Sequence, residues 1–166
     1  MHRSTPALLL AVLGMASASP FAIGPRQADF SSNQQDGLSG PCQPTIVIFA
    51  RGTTERGNVG TIAGPPFFQA LSAQVGGGLA VQGVEYPANV QGFLAGGDAK
   101  GSQMMATLTE KAITKCPSSS IIMSGYSQGG QLVHNAAAMM SKTMVASVAG
   151  AVIFGDPRKP FFPRPG

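Results

Sequence analysis

Apolar and polar positions come in alternating blocks along the chain. "TIVIFA", Thr45 to Ala50, is an unbroken β-branched apolar run between Pro44 and Gly52, which predicts a strand buried on both faces and central in a sheet. "PPFFQALSAQVGG" opens on prolines, continues with helix formers and ends on glycines, predicting a helix from about Pro66 to Val75. "LAVQGVEY" returns as a strand that stops at Pro87. Met104, Met105, Leu108, Ala112 and Ile113 then fall at helical spacing between Gly101 and Pro117, with the methionine pair read as core packing. "SIIMSG", "QGGQLVHNAAAMM" and "VASVAGAVIFG" add a third strand, a third helix and a fourth strand. Strands alternating with helices imply parallel pairing through right-handed crossovers, hence a doubly wound α/β sheet.

Composition sets the surroundings of that sheet. The chain has 166 residues, 43% of them apolar and 11% charged, as expected of one compact domain with its own core. The formal charge of +4 comes from scattered basic residues whose densest cluster is Arg158 and Lys159. No basic patch argues for nucleic acid. At the N-terminus, Arg3 precedes an apolar run from Ala7 to Met15 and the small residues Ala16-Ser17-Ala18. This pattern predicts a secretory signal over residues 1–18 and an extracellular location. The run is too short for a membrane span, which takes about 18 apolar residues or more. Residues 19–41 are rich in Ser, Gln, Gly, Asp and Pro without periodicity, which predicts a pro-segment or flexible arm with folding starting near Cys42. The folded domain is expected over residues 42–157, and residues 158–166 form a Pro-rich tail. Two cysteines, Cys42 and Cys116, suit an oxidising compartment, with two free thiols as the alternative.

The chemistry centres on Gly125-Tyr126-Ser127-Gln128-Gly129. This G-x-S-x-G stands between a predicted strand and a predicted helix, the context in which the motif marks a nucleophilic serine. The turn lifts the hydroxyl above the carboxyl edge of the sheet, and the helix start points amide donors at a developing oxyanion. The structural alternative is a serine that merely caps the helix. Gln128 follows the serine, so its main-chain N–H sits where such hydrolases build an oxyanion hole.

"IFARGTTERGNVGTIAGPPF", "VQGVEYPA", "KCPSSSIIMSGYSQGGQLVHNA" and "VAGAVIFGDP", with the positions of Cys42 and Cys116, resemble the secreted fungal cutinases, whose relatives include acetylxylan esterases. The resemblance runs in ordered blocks from about Cys42 to Pro157. It implies a lidless α/β-hydrolase-like three-layer sandwich around a mostly parallel sheet, Ser127 as nucleophile, and a bridge between Cys42 and Cys116. It further implies Thr53 and Gln128 as the oxyanion hole and a cutin-like polyester or acetylated polysaccharide as substrate. Closing the 74-residue separation of the cysteines is worth about 4 kcal/mol on the loop-entropy relation. Phe93 and Leu94, in a Gly-rich loop after the second strand, are candidates for rimming an acyl groove, with a packing role as the equal alternative. Arg51 and Glu55 are read as a loop-fixing pair. No metal or organic cofactor is required, no stable membrane insertion is expected, and the chain is expected to be a monomer.

One element of the pattern is not met. An acyl-transfer serine needs a base within about 3 Å. Past the signal the chain carries one histidine, His134, seven residues beyond Ser127 and thus about 10 Å along a helix axis, so it is read as a partly buried or surface helix residue. Asp156 falls at the right edge of the sheet for a triad acid, but "FGDP" reads better as a turn. In cutinases the acid and histidine come later. The expectation is therefore a C-terminally incomplete cutinase with weak or no turnover, the alternative being a non-catalytic protein that binds apolar surfaces.

Overall fold

A computed structural model of the chain describes residues 29–158; the predicted signal, the first part of the predicted arm and residues 159–166 lie outside the described residues. The strands are β1 (Thr45–Ala50), β2 (Leu79–Gly83), β3 (Ser120–Tyr126) and β4 (Val148–Phe154). The helices are α1 (Gly64–Gln74), α2 (Val90–Leu94), α3 (Ala99–Lys115), α4 (Gln128–Met139) and α5 (Lys142–Ala146). The sheet order is β2-β1-β3-β4 with every neighbouring pair parallel, as the strand–helix alternation predicts.

Alternation along β1 builds the layers. Ile46, Ile48 and Ala50 join Ile121 and Met123 of β3 and face α3 and α4, where Met105, Ala112, Leu132 and Ala136 complete the larger core. Val47 and Phe49 face the other way with Val81, onto Phe68 of α1. All six residues of β1 are buried, which is why the run carries no polar position. Phe68 meets Phe49 edge-on at 5.0 Å between centroids, an arrangement worth about 1 kcal/mol beyond the area it buries. Helices on both faces make this the three-layer α/β sandwich expected.

Several sequence expectations shift in detail. The packed structure begins before Cys42: Phe30 and Leu38 are buried, and a 3-10 turn spans Gly37–Ser39. The arm is therefore docked from Asp29 on, through contacts that leave no periodic trace. β2 ends at Gly83 instead of running to Pro87, because the carbonyls of Val84 and Tyr86 accept from the Arg51 guanidinium at 3.4 and 2.6 Å and are not spent on the ladder. Met105 is core, but Met104 is exposed, since 100° of helical rotation turns the adjacent position outward. Two helices of five residues each, α2 and α5, were not predicted; neither is long enough to show a period. Cys42 and Cys116 are disulfide-bonded with Cα atoms 5.6 Å apart.

Candidate active site

β3 runs into Ser127, and α4 starts at the next residue. Ser127 has φ +53° and ψ −115°, a region costly for a residue with a Cβ. The strain is held by the neighbouring backbone: the Ser127 N–H donates to the Phe154 carbonyl at 2.9 Å, and the Ser127 carbonyl accepts from Gly130 N–H at 2.9 Å. The flanking glycines are required by contact. A Cβ on Gly125 would lie 2.3 Å from the Gly129 carbonyl carbon, and one on Gly129 would lie 1.9 Å from the Ala50 carbonyl oxygen. Although Ser127 holds the N-cap position of α4, its side chain makes no capping hydrogen bond. That separates it from an ordinary capping serine, whose hydroxyl is tied to the helix it starts. Ser127 is half-buried at the carboxyl edge of the sheet.

Thr53 and Gln128 meet at this edge. The fully buried Gln128 side chain donates from Nε2 to Thr53 Oγ1 at 2.9 Å and to the Asn89 carbonyl at 2.8 Å. The Gln128 main-chain N–H lies in the first turn of α4, where helical amides have no carbonyl of their own helix to bond. Among the described residues the non-glycine positions with positive φ are Thr54, Ala88 and Ser127. Thr54 N–H donates to the Ala88 carbonyl at 2.7 Å, joining the loop after β1 to the segment after β2. Backbone strain is thus gathered around one spot, the usual place for it being a site of function.

The loop carrying Thr53 is fixed from beneath. Glu55 accepts from the main-chain N–H groups of Gly52, Thr61 and Ile62 at 2.7 to 2.9 Å. Arg51 is buried, lies 4.9 Å over the Tyr86 ring, and donates from Nε to the Glu55 main-chain carbonyl at 2.8 Å. The pair does fix the loop, each residue working on main chain. Tyr86 donates from its hydroxyl to the Arg51 carbonyl at 2.5 Å. Burial raises its pKa well above the ordinary phenol value, and the Arg51 charge offsets only part of this.

Phe93 and Leu94 sit on α2, not in a loop. The Asn89 side chain caps α2 by accepting from Gly92 N–H at 2.8 Å. Phe93 is half-buried and its carbonyl accepts from Gln131 Nε2 at 3.2 Å, while Leu94 is 77% exposed and Val90, one turn before it, 56%. His134 is not hydrogen-bonded to Ser127: its Nε2 lies 3.0 Å from Asp156 Oδ2, and Asp156 Oδ1 accepts from Arg158 N–H at 3.0 Å. Asp156 is the turn residue expected, and His134 anchors that turn to α4. No other histidine is present among the described residues. No group of metal-ligating side chains is found among them either. The anchoring role of Gln128's amide and of Asn89 was not foreseen, since neither position has a chemical signature outside the fold.

The cutinase family model matches residues 41–164. The chain belongs to the cutinase family. It is 56% identical over 117 residues to cutinase pbc1 of Pyrenopeziza brassicae and 53% identical over 117 residues to a cutinase of Botryotinia fuckeliana, in each case over 70% of this chain and 58% of the relative. The chain thus spans about six-tenths of the length of these curated relatives. Among solved structures, a Trichoderma reesei cutinase in complex with a phosphonate inhibitor superposes with a TM-score of 0.72 at 39% identity, over 78% of this chain and 59% of that one. An acetyl xylan esterase superposes at 0.56 and 25%, over 70% and 65%. No described helix is long and apolar enough to cross a membrane.

Proposed function

We propose that the chain carries the nucleophile half of a secreted serine esterase that cleaves carboxylic esters of cutin-like polyesters through an acyl-enzyme on Ser127. The observation that carries this reading is Ser127 itself, held at φ +53° between two sterically required glycines with no capping bond on its side chain. In the reaction the Ser127 oxygen attacks the ester carbonyl, its proton passes to a base, and the carbonyl oxygen becomes an oxyanion facing the Gln128 main-chain N–H and Thr53. The alcohol leaves with a proton, and water then releases the acid. Neither metal nor organic cofactor takes part. Exposed Val90 and Leu94 on α2, with half-buried Phe93, offer an apolar flank for the acyl chain.

The cutinase reading is favoured over acetylxylan esterase by the higher identity and TM-score of the cutinase structure. No described histidine is hydrogen-bonded to Ser127, and removal of a triad histidine costs on the order of 10⁶ in kcat, so the test supplies the base from solution. The test is therefore stoichiometric. With imidazole added as the base, a p-nitrophenyl alkylphosphonate should form a Ser127 Oγ–P bond and release one p-nitrophenolate, the serine proton passing to imidazole. Intact-mass analysis should find one adduct per chain on Ser127 and none in Ser127→Ala. Equal labelling of both proteins sinks the esterase reading and leaves an apolar-surface binding protein, to be sought by retention on polyester film.

A further inference from the structure

Gln128 is assigned to the oxyanion hole by its main-chain N–H, yet its side chain is the more constrained group. The Asn89 carbonyl can only accept, so the amide atom 2.8 Å from it is the NH2 group. That fixes the amide orientation. The second Nε2 hydrogen points at Thr53 Oγ1, 2.9 Å away. Because NH2 has no acceptor to offer, the Thr53 hydroxyl oxygen must accept there, and its own hydrogen is turned elsewhere. The cost of this orientation is visible on the other side of the amide: Gln128 Oε1 is buried and has no hydrogen-bond partner among the described residues. Space for it exists because position 92 is glycine; a Cβ there would stand 2.9 Å from Oε1.

We propose that the Gln128 side chain is a positioning residue that occupies the acceptor side of the Thr53 hydroxyl and thereby aims its O–H at the substrate oxyanion. The inference rests on the esterase reading above. One residue then contributes twice, with its main chain as a direct donor and its side chain through Thr53. The amide in turn is set by the Asn89 carbonyl at the start of α2, so the α2 segment sets the polarity of the hole without touching the reacting atoms.

The experiment measures the rate constant of phosphonate labelling at Ser127 in the full chain, with added imidazole as the base. Gln128→Met keeps the main-chain N–H and nearly the same volume but removes the amide, and labelling should slow about 10- to 100-fold, within what loss of one oxyanion donor costs. Gln128→Glu should be slower still, since a carboxylate accepts from the Thr53 hydroxyl and draws its hydrogen out of the hole. In a Thr53→Val background the two Gln128 variants should add no further slowing, whereas in Thr53→Ser the penalty should return. A merely structural side chain would slow labelling equally in all backgrounds, and that result, or wild-type rates in Gln128→Met, overturns the proposal alone. Labelling of the parent chain that matches Ser127→Ala overturns the esterase reading and this inference with it. A second measurement leaves Gln128 intact: Thr53→Val should shift one of the two Gln128 side-chain amide proton resonances, and two unshifted resonances count against the contact.

Discussion

The two edges of the sheet are finished differently. Outside β2 the chain's own N-terminal segment closes the edge: Gly83 N–H donates to the Gln35 carbonyl at 2.9 Å, Leu38 N–H donates to Gln82 Oε1 at 3.1 Å, and Asp36 forms an antiparallel bridge to Gln82. Buried Asn58 locks that segment by accepting from Gln35 N–H and donating to the Gln35 carbonyl, at 2.9 and 3.0 Å, and Phe30 packs 6.3 Å from Phe68. At the opposite edge, β4 has no partner strand beyond it among the described residues, and four of its seven residues are exposed. Its sequence, VAGAVIF, contains no charge and no proline, the usual protections of an open edge. Among the described residues the sheet is thus held from the β2 side, and the strand feeding Phe154 to the Ser127 turn is the less supported one.

The contrast can be broken most strongly at the covered edge. Replacing Cys42 and Cys116 by serine removes the bond that ties the docked segment to the end of α3 and should cost about 4 kcal/mol in urea unfolding; a loss below about 1 kcal/mol means the segment stays in place without it. Next comes the same truncation at both edges. Phe30→Ala, at a side chain 5% exposed, should cost about 3 kcal/mol, and Phe154→Ala, half-buried with one ring contact to Phe67 at 5.1 Å, about 1 kcal/mol. Equal costs would remove the asymmetry.

Alkaline pH probes the β2 side again. Tyr86 has a raised pKa in the folded chain, chiefly through burial, so above pH 10 the unfolded chain gives up a proton that the folded chain keeps. Its contribution is fully present below about pH 10 and falls as pH rises beyond it. Unfolding midpoints between pH 9 and 11 should decline in the parent and decline less in Tyr86→Phe; parallel curves refute this. The smallest change in stability is expected at the open edge. Val152 shares the face of Phe154 and is 39% exposed; Val152→Lys should change stability by less than about 0.5 kcal/mol yet slow concentration-dependent aggregation followed by light scattering. An unchanged aggregation rate would mean that β4 is not the sticky edge.

What the sequence revealed follows the same division. Elements that bury a continuous or periodic apolar face were legible: TIVIFA, the helix ending at Cys116, and the strand–turn–helix around Ser127. The segment from Asp29 to Pro41 was not, because it is held by two isolated apolar side chains and by hydrogen bonds to main chain from Asn58, Gln82 and Lys115. Such partners have no spacing to recognise. Within the site, the backbone at Ser127 and Gln128 was legible because the motif fixes the turn between strand and helix. The Gln128 side chain was not, since its role exists only once Asn89 and Thr53 are brought beside it from two other loops.

Lys115 reaches across to the docked segment, its Nζ donating at 2.8 Å to the carbonyls of Leu38 and Gly40, 77 and 75 residues earlier. Contacts so distant along the chain form late, because the intervening loop must be closed before they give anything back. During synthesis from the N-terminus, residues 29–41 can meet Asn58 and Gln82 as soon as β2 is made, but they wait for the end of α3 to be fastened. Until that lysine arrives, the segment hangs on Asn58 and Gln82, and its Leu38–Gly40 end is free to lift off the β2 edge.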